Sequence, residues 1–317
     1  MPAKVSIVIR TFNEEAHIGR LLDALGRQDI RDPEIIVVDS GSTDQTLSIV
    51  ARSPVKLLKI QPKDFTFGRS LNMGVRAGGG DIAVFASAHV LPITDNWLAS
   101  LVSPFADANV ALTYGKQRGA EGSHFSEAEH FKRWFPENSI ADQQTAYCNN
   151  ANAAIRRSLW LQNPFDEELT GLEDLAWGSW ARQSGYAIAY VAEAGVFHFH
   201  SETSAQIVNR HRREAIALKR ILPKSRFTLR HLAGEFNRAV WSDLKSARRQ
   251  GVLAREVAGI FSFRFLQYWG TYLGYRDPST PSRALAETFY YPPGSLEPLL
   301  AKAKTPNPTE EALSQSK

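Results

Sequence analysis

The chain has 317 residues, of which 43% are hydrophobic and 22% charged, proportions that exclude a chain disordered over most of its length. It is too long for one small core and suits a large α/β domain with an appendage. Nowhere do about 18 apolar residues follow one another, which excludes a bilayer-spanning helix, and a single cysteine, Cys148, excludes an internal disulfide and fits a reducing compartment.

Taken in chain order, short apolar runs alternate with helix-length amphipathic stretches. VSIVI (5–9) precedes a helical pattern over 14–25; EIIVVD (34–39) precedes a helix over 43–51; VKLLKI (55–60) precedes a helix over 68–77. DIAVFA (81–86) follows, then a helix near 96–105, a strand VALTYGKQ (110–117) and a short helix over 126–134. CNNANAAIRRSLW (148–160) reads as a strand or loop entering a helix, 171–186 has helical spacing, and 187–200 is extended. Continuous β-branched strands separated by helices predict a mostly parallel sheet covered on both faces. From Ser204 onward apolar residues recur at helical spacing, broken near Pro223 and Gly251, and the proline-bearing tail from Leu299 is expected to be disordered. The division expected is a catalytic domain over 1–204, a basic helical region over 205–298 and a tail over 299–317.

The net charge of +4 is unevenly spread. Residues 205–290 hold 16 Lys/Arg against 6 Asp/Glu, which leaves the remainder net acidic. That asymmetry points to an anionic partner for the C-terminal part, a membrane surface or a lipid diphosphate before nucleic acid. The segment IFSFRFLQYWGTYLGYR (260–276) mixes arginine with aromatic residues, a composition suited to a headgroup boundary. A homodimer seam or a plain helical core is the other reading of the same segment. The N-terminus enters a strand-like run at once with no secretion leader, so a cytoplasmic location, peripheral on the inner face of the membrane, is the expectation.

In open α/β sheets ligands lie beyond the carboxyl ends of the strands. Three such ends are polar here: RTFNEE (10–15), DSGSTDQT (39–46) and SAHVLP (87–92). With GRSLNMGVRAGGGDI (68–82) they form an ordered series that resembles the family 2 glycosyltransferases of GT-A fold over about residues 3–205. DFTFGRSLNMG, YGKQ and NANAAIRR before GLEDLAWG resemble the rhamnosyltransferase branch, whereas the Gln-x-x-Arg-Trp signature of processive synthases is missing. The resemblance implies a GT-A fold, a nucleotide-diphosphate-sugar donor, and a saccharide or lipid-linked acceptor.

Residue chemistry agrees with that resemblance. Thr11 and Asp39 sit at adjacent strand ends, where they suit a nucleotide base, and Glu14, beside Asn13, suits a ribose hydroxyl. Arg69, near Asn72, has the fork that matches two diphosphate oxygens; a surface ion pair is its plain alternative. Asn150 and Asn152 suit sugar hydroxyls or shape a turn.

Where relatives carry an Asp-x-Asp, this chain has Ser87, Ala88 and His89. An imidazole can ligate a transition-type divalent ion or, protonated, face phosphate directly, while magnesium prefers oxygen ligands. A divalent ion, manganese or magnesium, is therefore open. In extended chain His198 and His200 face one side, so with His89 they form a candidate metal set; an ordinary half-buried strand is the other reading. In the family the Asp of a Glu-Asp pair deprotonates the acceptor hydroxyl, which implies Asp174 as base and Glu173 as its neighbour. The rival classes are a sugar-nucleotide-binding protein without catalysis, a nicotinamide enzyme, which would want Gly-x-Gly-x-x-Gly after the first strand, and a nucleotidyltransferase, which would want a Gly- and Arg-rich loop there.

Overall fold

A computed structural model describes residues 3–30, 32–200 and 202–279. The tail expected to be disordered, 299–317, and the end of the basic region lie outside the described residues.

Strand β1 (Val5–Thr11) is buried on both faces, as an unbroken apolar run requires. Then come α1 (Ile18–Leu25), β2 (Glu34–Asp39), α2 (Thr46–Val50), β3 (Lys56–Lys59), α3 (Phe67–Ala77) and β4 (Ile82–Ser87). These four strands pair in parallel in the order β3-β2-β1-β4. Strand alternation sends Ile7 and Ile9 into one apolar layer and Val8 into the layer on the opposite face.

The second half adds β5 (Val90–Pro92), α4 (Trp97–Val102), β6 (Val110–Gly119), α5 (Phe125–Trp134), β7 (Asn152–Arg156), α6 (Arg157–Trp160), α7 (Glu173–Gln183) and β8 (Ala187–His198). β7 enters antiparallel between β4 and β6, β6 runs parallel to β8, and β5 closes the edge antiparallel to β8. The result is one eight-stranded, mixed but largely parallel sheet.

Among the described residues three helices follow: α8 (Ser204–Ile221), α9 (Leu229–Arg249) and α10 (Leu253–Arg276). Thr203 and Thr228 open the first two with side chains that accept from the backbone N–H three residues on. Close approach of α10 to α8 requires glycine, since a Cβ on Gly270 would fall 2.5 Å from the Val208 carbonyl oxygen. A buried ion pair, Arg264 with Asp243, is tied to the sheet domain by a bond from Arg264 to the Ser126 carbonyl oxygen at 3.0 Å.

Candidate active site

A cleft of about 600 Å³ opens beyond the carboxyl ends of β1 and β4, and its walls carry Glu14, Ser87, His89, Asn150, Glu173, Asp174, His198 and His200. Asp174 lies in the first turn of α7. Leu172, just before it, has φ 57°, a left-handed conformation costly for a leucine, which marks a turn held by its surroundings. The Asp174 carboxylate accepts from the Asn150 N–H at 3.0 Å and the Leu175 N–H at 2.8 Å. Burial and the adjacent charge of Glu173 push the Asp174 carboxyl up to about 7, against the pull of those bonds and of Arg10. Glu173 is buried, with Arg10 Nη1 and Asn150 Nδ2 each 3.5 Å from its Oε1.

In the same cleft three imidazoles meet. His89 Nδ1 lies 2.5 Å from Glu14 Oε1 and its Nε2 is 3.0 Å from Ser87 Oγ. His198 Nδ1 lies 2.8 Å from Gln117 Oε1, and His200 Nδ1 lies 2.7 Å from Glu127 Oε1. Burial would raise Glu127, but His200 and Arg210 hold it down to about 2, so it is a carboxylate and His200 Nδ1 carries the hydrogen it accepts. The Nε2 atoms of His198 and His200 then face each other at 3.0 Å. Burial, with the two neighbouring imidazoles, keeps His198 well below the usual range, hence neutral. Candidate ligand atoms of His89, His198 and His200 all lie within 4.8 Å of one another. An Nδ1 that donates outward to oxygen while Nε2 points inward is the arrangement of metal-binding histidines. A second group, Glu127, His200 and Glu202, is already bridged by Arg210, which donates to both carboxylates.

Several expected residues lie elsewhere. Asn72 is buried and spends all four of its side-chain bonds on the Phe165 backbone, Trp160 Nε1 and Glu167. Asn152 is equally committed, accepting from Trp97 Nε1 and donating to the Lys116 and Ala194 carbonyl oxygens. Both are packing residues, not sugar contacts. Asp39 is 1% exposed and its oxygens accept from Gly41 N–H, Ser42 N–H and Ser42 Oγ, so it builds the turn, and it is not among the residues lining the cleft. Thr11 is likewise buried and outside the cleft lining. Asn13 does line the cleft, with φ 54° and its Oδ1 accepting from Thr43 N–H.

Arg69 is not in the lining; on α3 it is Phe67, two residues earlier, that reaches the cleft. The arginines that line it are Arg10, Arg210 and Arg213, with Arg10 and Arg213 over the Phe67 ring at 4.5 and 4.6 Å. Gln206, Arg210, Arg213 and Glu214 come from α8, so the division expected at residue 204 runs through the site. The basic bias after 205 was the one signal in the sequence that could have pointed to them.

Residues 6–161 match the model described as glycosyl transferase family 2. The chain thus carries a domain of that family over just under half its length. It is similar to the O-antigen chain rhamnosyltransferase RfbN of Salmonella typhimurium, 28% identical over 66% of this chain and 70% of that one. It is also similar to the O-antigen chain rhamnosyltransferase WbaN of Salmonella anatum, 28% identical over 65% and 69%. Among solved structures, a mannosyltransferase of Pyrobaculum calidifontis in complex with GDP-Man and Mn2+ superposes with a TM-score of 0.61, at 21% identity over 86% of this chain and 85% of that chain. TarS of S. aureus in complex with UDP-GlcNAc superposes at 0.52, with 19% identity over 83% and 90%. The family 2 glycosyltransferase fold is thus of GT-A type with C-terminal helices.

Proposed function

We propose that this glycosyltransferase moves one sugar, rhamnose being the first candidate, from a nucleoside diphosphate to a hydroxyl of a saccharide or lipid-linked acceptor, with inversion. It would act on the cytoplasmic face, in cell-surface polysaccharide synthesis. The observation that carries this reading is one cleft that holds a raised carboxyl, Asp174, together with an imidazole cluster and arginines. The acceptor oxygen bonds to the anomeric carbon as the bond from that carbon to the diphosphate oxygen breaks. Asp174 takes the acceptor's proton, and the nucleoside diphosphate leaves with the electron pair. Backbone N–H groups of Asn150 and Leu175 hold the carboxylate in place for that transfer. Arg10 and Arg213, fixed against Phe67, supply positive charge along the same cleft.

A divalent ion fits the imidazole set. His198 and His200 would hold it through Nε2, with His89 as a third donor once the Ser87 hydroxyl turns aside. Nitrogen donors favour manganese over magnesium. Such an ion supplies charge neutralisation for a departing diphosphate. The rhamnosyl donor rests on the relatives RfbN and WbaN. The test is the anomeric configuration of the product, read by NMR after transfer from a panel of nucleotide-sugars: inversion from a rhamnosyl donor supports the reading, and retention contradicts it.

A further inference from the structure

α10 is apolar on both sides, yet among the described residues only one side is covered. Its Gly270 and Gly274 lie against α8, and Ile260 packs with Val240 and Ala247 of α9. The opposite side presents Val257, Phe261, Phe265, Trp269 and Tyr272, a stripe at intervals of three and four residues that runs roughly 22 Å along the helix. Phe261 and Phe265 are 45% and 50% exposed, and Phe265, Trp269 and Tyr272 stack in succession. No charged side chain interrupts the stripe between Val257 and Tyr272.

Phe236, on the side of α9 that packs on α10, touches Phe261, and the outer side of α9 points away from that contact. That outer side carries Trp241, 73% exposed, among Arg230, Arg238, Lys245 and Arg248, all exposed and spaced to share one helix face. Over α9 and α10 the exposed charge is one-sided. Arg249, Arg255 and Arg276 add to those four cations, against Glu235 and Glu256, while Asp243 is buried against Arg264.

We propose that α9 and α10 form a docking surface for an anionic lipid bilayer, with the aromatic stripe and Trp241 entering the headgroup boundary and the basic face of α9 meeting lipid phosphates. Aromatic residues beside cations are the composition of interfacial helices. Each Lys or Arg near an anionic leaflet strengthens attachment about fivefold. A twofold contact between copies would place the basic face near its own equivalent, a repulsive arrangement. This inference goes beyond the transfer reaction and does not depend on it.

The experiment is co-sedimentation of the full chain with vesicles of phosphatidylcholine alone and of phosphatidylcholine with phosphatidylglycerol, at low and high salt. Binding to the anionic vesicles only, weakened by salt, is the expected result. Phe261→Ser with Phe265→Ser, and separately Lys245→Glu with Arg248→Glu, each lower partitioning about tenfold or more with unchanged melting temperature. Asp174→Asn binds vesicles as the parent does. Absence of binding at low salt, binding indifferent to both double variants, or a dimer in sedimentation equilibrium that the Phe261→Ser, Phe265→Ser pair dissociates would each overturn the proposal.

Discussion

His198 and His200 face each other through Nε2 at 3.0 Å, each with its Nδ1 turned toward an oxygen acceptor, Gln117 Oε1 and Glu127 Oε1. Two ring nitrogens so placed converge on one spot, where a proton or a cation can bind both. Manganese titrated into the protein should therefore bind with a measurable calorimetric or spin-resonance signature. His200→Ala should abolish it, and Glu127→Gln, which disturbs the orientation of His200 without touching its Nε2, should weaken it by about 10–100-fold.

The acid limb of the rate profile belongs to the Glu173–Asp174 pair. A base must be deprotonated, so transfer should rise with pH through about 7, where burial and Glu173 have pushed Asp174. Arg10 favours the charged form of Asp174 and sits 3.5 Å from Glu173. In Arg10→Gln the limb should move to higher pH and neutral-pH activity should fall, while Arg10→Lys should restore part of both. A pH–rate series on the three proteins reads this directly.

Folding should be acid-sensitive in two windows. Glu127, Glu214 and Asp277 are each held down to about 2, so each adds stability that is full above the ordinary carboxylate range and is lost as pH falls toward 2. His130 is depressed to about 4, chiefly by burial; the unfolded chain protonates first, so stability is lost as pH falls from about 6.5 toward 4. Asp174, raised to about 7, works the other way as pH falls from about 7 toward 4. The His130 contribution is therefore read as the difference between parent and His130→Gln melts over that range, while the melts of both should steepen downward below about 4.5.

Asn72 makes a prediction opposite to that of a substrate contact. Its four side-chain bonds hold the loop from Phe165 to Glu167 and the indole of Trp160. Removal in Asn72→Ala strands buried partners and should cost about 2–4 kcal/mol, read by urea unfolding. KM for the donor should stay unchanged, since Asn72 is outside the cleft.

Much of this was legible beforehand. Strand alternation alone put His198 and His200 on one side, and both line the cleft. The parallel half of the sheet followed from runs such as VSIVI and EIIVVD, and the breaks at Pro223 and Gly251 separate the three C-terminal helices. The antiparallel entry of β7 was not legible, because local pattern carries no strand direction. Neither was the choice among polar residues of one type. Asn150 reaches the cleft while Asn152, two positions on, is sealed beneath Trp97, and Arg213 supplants Arg69 because α8 folds back over the site. Those choices are made by tertiary packing, which short motifs do not encode.

Asp174→Asn tests the central claim most directly. The amide keeps the shape of the side chain but cannot take a proton, so sugar transfer should fall by about 10³-fold while nucleotide-sugar affinity, measured by calorimetry, stays within about threefold. Transfer at near-parent rates by the Asn variant would contradict the assignment of Asp174 as the base.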